Sequence, residues 1–211
     1  MRSVLLGLLP LVLAAQSAVS EKEAAVGRQM AAEVRRASTP VNVPDVQNYV
    51  SQLGARLGPG FSFEVVSMDE NEPVVVPGRH IFVPVSLLIA AGDEAEFAGM
   101  LAQGIARGPG RWGRWVDVGG LMPIAAQQQR RANELVADST AALAMSQAGL
   151  DPAALLRYIE RLQPGDEGRT NALRQTVSGI PRGDWKVTDR FSEIQALVRP
   201  NPRTPPSLFN K

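Results

Sequence analysis

The sequence predicts an α+β fold that is mainly helical, with a small mixed or antiparallel sheet. Three observations carry this reading. Apolar residues recur at helical spacing in several long segments: Val46, Val50, Leu53 and Leu57 fall on one helical face. Phe61, Phe63 and Val65 alternate with Ser62, Glu64 and Val66, the period of a half-buried strand. Two further apolar triplets then flank a Pro-Gly turn. With 211 residues, 45% of them hydrophobic, the chain is long enough for one domain with its own core.

Each element has a local cause. Glu21–Arg36 is rich in Ala and charged residues and reads as a helix, which Thr39-Pro40 ends. The Val46–Leu57 helix stops at Gly58-Pro59-Gly60, a turn sequence. Val74–Val76 and Ile81–Val83 flank Pro77-Gly78-Arg79-His80 and read as a hairpin. Asp93 is placed to cap the next helix, with Glu96 three residues on to complete a capping box. Ala98, Leu101, Ala102 and Ile105 form that helix's apolar face, and Gly108-Pro109-Gly110 stops it. Pro123–Ala148 reads as one long helix ending before Gly149. Asp151-Pro152 is an N-cap followed by Pro at the first helical position, which starts a helix over Ala153–Leu162. A last short helix is expected over Thr188–Val198.

Both ends read differently from the middle. Met1–Ser20 has a basic Arg2, an apolar stretch from Val4 to Ala15 and small residues at Ala18-Val19-Ser20, the features of a cleaved secretory signal. A membrane anchor is the competing reading, but the apolar run is short for a bilayer. Residues 21–198 are expected to form the domain. Residues 199–211, with Pro200, Pro202, Pro205 and Pro206, are expected to be a flexible tail. The chain has no Cys, which excludes both a disulfide framework and a lipid-modified Cys. Removing the leader takes away one Arg and no acid, leaving 21 basic residues against 21 acidic ones. A neutral mature chain argues against nucleic acid as the partner. The expected location is secreted or periplasmic.

Residues 93–107 read D-E-A-E-F-A-G-M-L-A-Q-G-I-A-R. They lie between the hairpin and the helix that carries E-L-V-A-D at 134–138. With V-Q-N-Y-V-S-Q-L-G-A-R-L at 46–57, F-S-F-E-V-V at 61–66, V-P-G-R-H-I-F-V-P-V-S-L-L at 76–88 and the run 134–152, the order of pieces resembles the zinc metallopeptidase family of HtpX and the CAAX prenyl endopeptidase, in its secreted bacterial form. The resemblance covers about Glu21 to Leu162, and less clearly continues to Val198. It implies a zincin-like fold.

In that family the helix carries H-E-x-x-H, two His on one face holding Zn²⁺ and a Glu activating the metal-bound water. The resemblance implies a third ligand at Glu134 and a supporting carboxylate at Asp138. The His slots, however, hold Gln103 and Arg107, and the catalytic Glu slot holds Gly104. A Gln amide oxygen is a feeble zinc ligand, Gly has no base, and Arg stays protonated. At ~4 Å and an effective dielectric of ~20, each pair of like unit charges costs about 4 kcal/mol, and a dication doubles it. The family's hairpin pattern N-A-F-A-x-P-G-G is here E-P-V-V-V-P-G-R at 72–79, with Pro73 and Arg79 as departures. Neither an intact catalytic set nor a bound cofactor is therefore expected.

Two readings stand for the altered slots. Gln103 and Arg107 are either exposed helical residues or parts of a metal-free cluster in which Arg107 replaces zinc as counter-charge to Glu134, and by extension Asp138. His80, the only histidine, reads as a structural strand residue, since one His cannot build a metal site. Glu94 and Glu96 read as residues favoured by the helix dipole, with a minor site role for Glu96 on nearly the same face as Gln103. Arg111-Trp112-Gly113-Arg114-Trp115 is either a loop whose Trp112 and Trp115 cover the core or a contact for a membrane surface. Val116–Ala126 is too short to span a bilayer.

The expected function follows from the missing motif. It is a secreted pseudopeptidase that binds an unfolded or extended envelope polypeptide, or a partner protein, along the hairpin edge. The alternative is an active metalloendopeptidase that hydrolyses envelope proteins with an atypical metal site, holding zinc through Glu134, Asp138 and a further donor that the motif does not identify.

Overall fold

The computed structural model describes residues 19–108, 124–162, 164–181, 183–185 and 188–199. Among them are eight helices and four strands: α1 (Glu21–Arg36), β1 (Thr39–Pro40), α2 (Pro44–Leu57), β2 (Ser62–Ser67), β3 (Val74–Val76), β4 (His80–Pro84), α3 (Val85–Ala90), α4 (Glu94–Arg107), α5 (Ile124–Gln147), α6 (Ala153–Leu162), α7 (Glu167–Gly179) and α8 (Arg190–Val198). The architecture is α+β and mainly helical, as the sequence predicts. The sheet is mixed, in the order β1-β2-β4-β3. β4 pairs antiparallel with β3 as the predicted hairpin and parallel with β2.

Strand alternation sorts side chains to two faces. Phe63, Val65, Ile81 and Val83 enter the main core with α2, α4 and α6. Val66, Phe82, Val74 and Val76 meet Ala31 and Val34 of α1 on the other side. β2 is thus covered on both faces where the sequence predicts a half-buried strand, because α1 packs back across the sheet. That packing needs Gly27: a Cβ there would lie 2.0 Å from the Pro77 carbonyl oxygen.

α4 is the central helix. It packs most extensively on α5 and also meets α6, α2 and β3, and every residue from Glu96 to Gly104 is buried. Asp93 caps it by accepting from the Glu96 N–H. The predicted capping box is half formed, since the Glu96 carboxylate accepts from the Gly92 N–H at 2.7 Å rather than from Asp93. Thr39-Pro40 does end α1, and then pairs with Ser67 and Val66 as a two-residue strand.

Two helices were not expected from the sequence. α3 continues directly from β4. α7 is polar, with Leu173 its one fully buried residue, so it lacks the apolar stripe that signals a helix. α8 begins at Arg190 rather than Thr188. No helix among the described residues is long and apolar enough to cross a membrane. Residues 1–18 of the expected leader, the segment Arg111–Trp115 with Trp112 and Trp115, most of Val116–Ala126 and residues 200–211 of the expected tail lie outside the described residues.

Candidate functional site

α4 and α5 run antiparallel where they meet, and two pairs of residues four apart face each other across the contact. Gln103 and Arg107 lie on one face of α4, opposite Asp138 and Glu134 of α5. The Gln103 side-chain N–H donates to Asp138 Oδ1. One turn on, Arg107 donates to Glu134 Oε2 through Nη2 at 2.6 Å and through Nε at 3.1 Å. Gln103 is fully buried and Asp138 is 1% exposed. The reading of these as exposed, unrelated positions is therefore set aside, and the residues form a polar cluster.

Two members come from elements that sequence reasoning did not connect to the site. Glu72, just before β3, accepts from Arg107 Nη1 at 2.7 Å. Arg169, in the first turn of α7, donates to both oxygens of Asp138, Nε to Oδ2 at 2.6 Å and Nη2 to Oδ1 at 2.9 Å. Its Nη2 also lies 3.9 Å from Glu134 Oε2. Arg107 was expected to serve Asp138 as well as Glu134. Asp138 lies a turn further along α5, level with Gln103, so α7 supplies its counter-charge instead. The signal for α7 was present in Pro164-Gly165-Asp166: the Asp166 side chain accepts from the Arg169 N–H as an N-cap.

The electrostatics follow from the geometry. Burial works against the Arg169 charge, but its hydrogen bond to Asp138 and the charges of Asp138, Glu134 and Glu72 outweigh it and raise its proton affinity. Planar guanidinium groups suit such forked contacts with carboxylates. One atom is left over: Gln103 Oε1 is buried without a hydrogen-bond partner among the described residues.

Zinc does not fit this arrangement. Glu134, where the resemblance would put a third ligand, is held by one guanidinium, and Asp138, where it would put a support, by another, while the Gln103 amide presents its nitrogen to Asp138. Gly104 contributes no side chain, and the place above it is filled: a Cβ there would lie 3.0 Å from Pro73 Cβ. Among the described residues no group of three or more His, Asp and Glu side chains is arranged to hold a metal ion.

The remaining candidates are placed elsewhere. His80 lies on the α1 side of the sheet, with Nδ1 2.6 Å from Ser62 Oγ and Nε2 3.2 Å from Glu64 Oε2, and its ring packs edge-on against Phe82. It braces strands, in line with the structural reading. Glu94 is buried and accepts from the Tyr49 and Thr188 hydroxyls. Glu96 is buried against Arg161 and the Gly92 N–H, so it takes no part in the Gln103 cluster. Both acids stitch α4 to its neighbours, beyond the dipole role expected of them. No protein-family model matches the chain, and no curated protein matches it.

Proposed function

We propose that this chain is an exported, non-catalytic relative of the HtpX and CAAX prenyl endopeptidase metallopeptidases, built on their zincin-like fold, and that it acts in the cell envelope, secreted or periplasmic, by binding polypeptide. The observation that carries this reading is the seating of Arg107 on Glu134. A fixed positive charge satisfies the one carboxylate that, by the resemblance, would have completed a zinc site. A partly buried carboxylate without its metal still carries a desolvation cost, and a guanidinium offsets it.

Binding is assigned to the sheet edge. Among the described residues β3 stands last in the strand order and pairs with β4 on one side only, so it can accept an added strand through main-chain hydrogen bonds. An unfolded or extended envelope polypeptide, or a partner protein offering such a segment, meets that requirement. Trp112 and Trp115 remain candidates for a membrane-surface contact.

The test begins with the mature protein, loaded with zinc, desalted and assayed for metal and for chelator-sensitive proteolysis of an unfolded substrate. The expected outcome is neither retained metal nor cleavage. About one zinc per chain, lost in Glu134→Ala, would restore the active-peptidase alternative. Hydrogen exchange with a reduced, unfolded model polypeptide then checks the binding mode. Protection at residues 74–76 supports it, and absence of protection there removes it.

A further inference from the structure

We infer that the segment entering β3 is an internal occupant of the cleft over α4, so that the old metal site was closed from outside its own motif. The inference rests on the family reading of Gln103, Gly104 and Arg107, and it adds what that reading does not contain: a matched pair, Pro73 and Gly104.

The geometry is specific. A Cβ on Gly104 would lie 3.0 Å from Pro73 Cβ, 3.3 Å from its Cγ and 3.9 Å from Val75 Cγ2. The first two of these are tighter than an ordinary van der Waals contact. Any side chain at 104 would press its first atom against the pyrrolidine ring, which cannot rotate aside because it is closed onto its own backbone. Gly104 sits within α4, where a glycine is not needed for backbone angles and costs helix stability. Its presence is explained by the close approach of Pro73.

The segment is anchored on both sides of the ring. On one side Glu72 is tied to α4 through Arg107. On the other, Val74 enters β3 and pairs with Phe82. Arg169 then adds a second cation from α7, over Asp138 and near Glu134. Restoring the three motif residues alone would therefore not restore a metal site. The space for the catalytic Glu would still be occupied by Pro73, and Arg169 would still hold the carboxylates.

Two experiments test this. The first is a thermal double-mutant cycle over Gly104→Ala and Pro73→Gly in the otherwise native chain. Gly104→Ala is expected to lower Tm by at least ~3 °C when Pro73 is present, since the ring cannot yield. With Pro73→Gly the same change is expected to raise Tm by roughly 1–3 °C, since Ala is the better helix residue. This reversal of sign does not depend on metal; additive effects would overturn the closure.

The second compares zinc retention in the folded triple variant Gln103→His, Gly104→Glu, Arg107→His with that in the same variant carrying Pro73→Gly and Arg169→Gln. Zinc held only by the five-fold variant supports the inference. Zinc held by the triple variant overturns the closure while upholding the zinc-slot reading. Zinc held by neither overturns the slot reading, and the inference with it.

Discussion

Arg169 grips Asp138 with two hydrogen bonds, Nε to Oδ2 at 2.6 Å and Nη2 to Oδ1 at 2.9 Å, although the two residues are 31 positions apart in the chain. Asp138 has almost no access to water, so its charge depends on this contact and on the Gln103 amide. The forked pair joins α7 to the long helix α5 and gives the buried network its second cation.

Removing that cation should be costly. Arg169→Ala leaves a carboxylate 1% exposed without its counter-charge, and a loss of about 3–5 kcal/mol is expected. Arg107→Ala should cost less, about 1–2 kcal/mol, because Glu134 and Glu72 retain 27% and 20% exposure of their side chains and can regain water. The paired change Arg169→Met with Asp138→Leu should recover most of the loss. Denaturant unfolding of the four proteins decides it. Equal losses for the two Arg variants would contradict the ranking.

The His80–Glu64–Arg35 contact makes stability fall on acidification. Burial lowers the His80 proton affinity below its ordinary 6.5, and Arg35 adds to this against the pull of Glu64. The unfolded chain then binds the proton more readily, so this contribution is full above 6.5 and declines as pH falls towards the folded value. Burial would raise the Glu64 carboxyl, but the hydrogen bond and charge of Arg35, with His80, hold it below its ordinary 4.5. Its contribution is full above that value and is lost as pH falls through the lowered one. Melting curves from pH 7 to 5 should slope down in the native protein and flatten in His80→Asn. A slope unchanged by the substitution would place the acid sensitivity elsewhere.

At high pH the two tyrosines report on the core. The chain has only Tyr49 and Tyr158. Burial, with the Glu94 hydrogen bond, pushes the Tyr49 hydroxyl far above its ordinary value. Burial also pushes Tyr158 up to about 12. An unfolded chain ionises both near pH ~10. Stability from this source is therefore present below that pH and lost as pH rises through the folded values. Ultraviolet titration should show no tyrosinate at pH 10.5 in the native protein and both tyrosines ionised in denaturant. Early ionisation in the native protein would show that these side chains are open to water.

Gly27→Ala should loosen α1 from the hairpin. The added Cβ would meet backbone, the Pro77 carbonyl oxygen at 2.0 Å and its carbon at 2.7 Å, so no side chain can rotate to make room. A destabilisation of about 1–3 kcal/mol or more is expected, despite the better helix propensity of Ala. Faster amide exchange in residues 74–82 would locate the damage at the sheet face that α1 covers. Unchanged exchange and stability would mean that α1 can shift freely.

Local signals in the sequence were enough for much of this molecule. α1 begins and ends where its Ala- and charge-rich stretch does. α2, α4 and α6 follow their apolar faces and caps, and the β3–β4 hairpin follows its turn. Helical spacing also places Gln103 with Arg107, and Glu134 with Asp138, on single faces, and the cost of a buried unpaired carboxylate points to the Arg107–Glu134 pair. These inferences need only neighbours within a turn or two, together with the rule that charge is not buried alone.

What only the tertiary structure decided lies in the distant contacts. Periodicity states which face of an element is buried but not what buries it. The parallel pairing of β2 with β4, the cover of α1 over the second sheet face, and the burial of Glu94 against α2 and Thr188 and of Glu96 against α6 all depend on packing between remote segments. Arg169 escaped notice because α7 carries almost no apolar stripe and is held by its cap and its neighbours. Pro73 reads in the sequence as a departure from a hairpin pattern. Its closeness to Gly104 exists only because the edge strand is folded down onto α4.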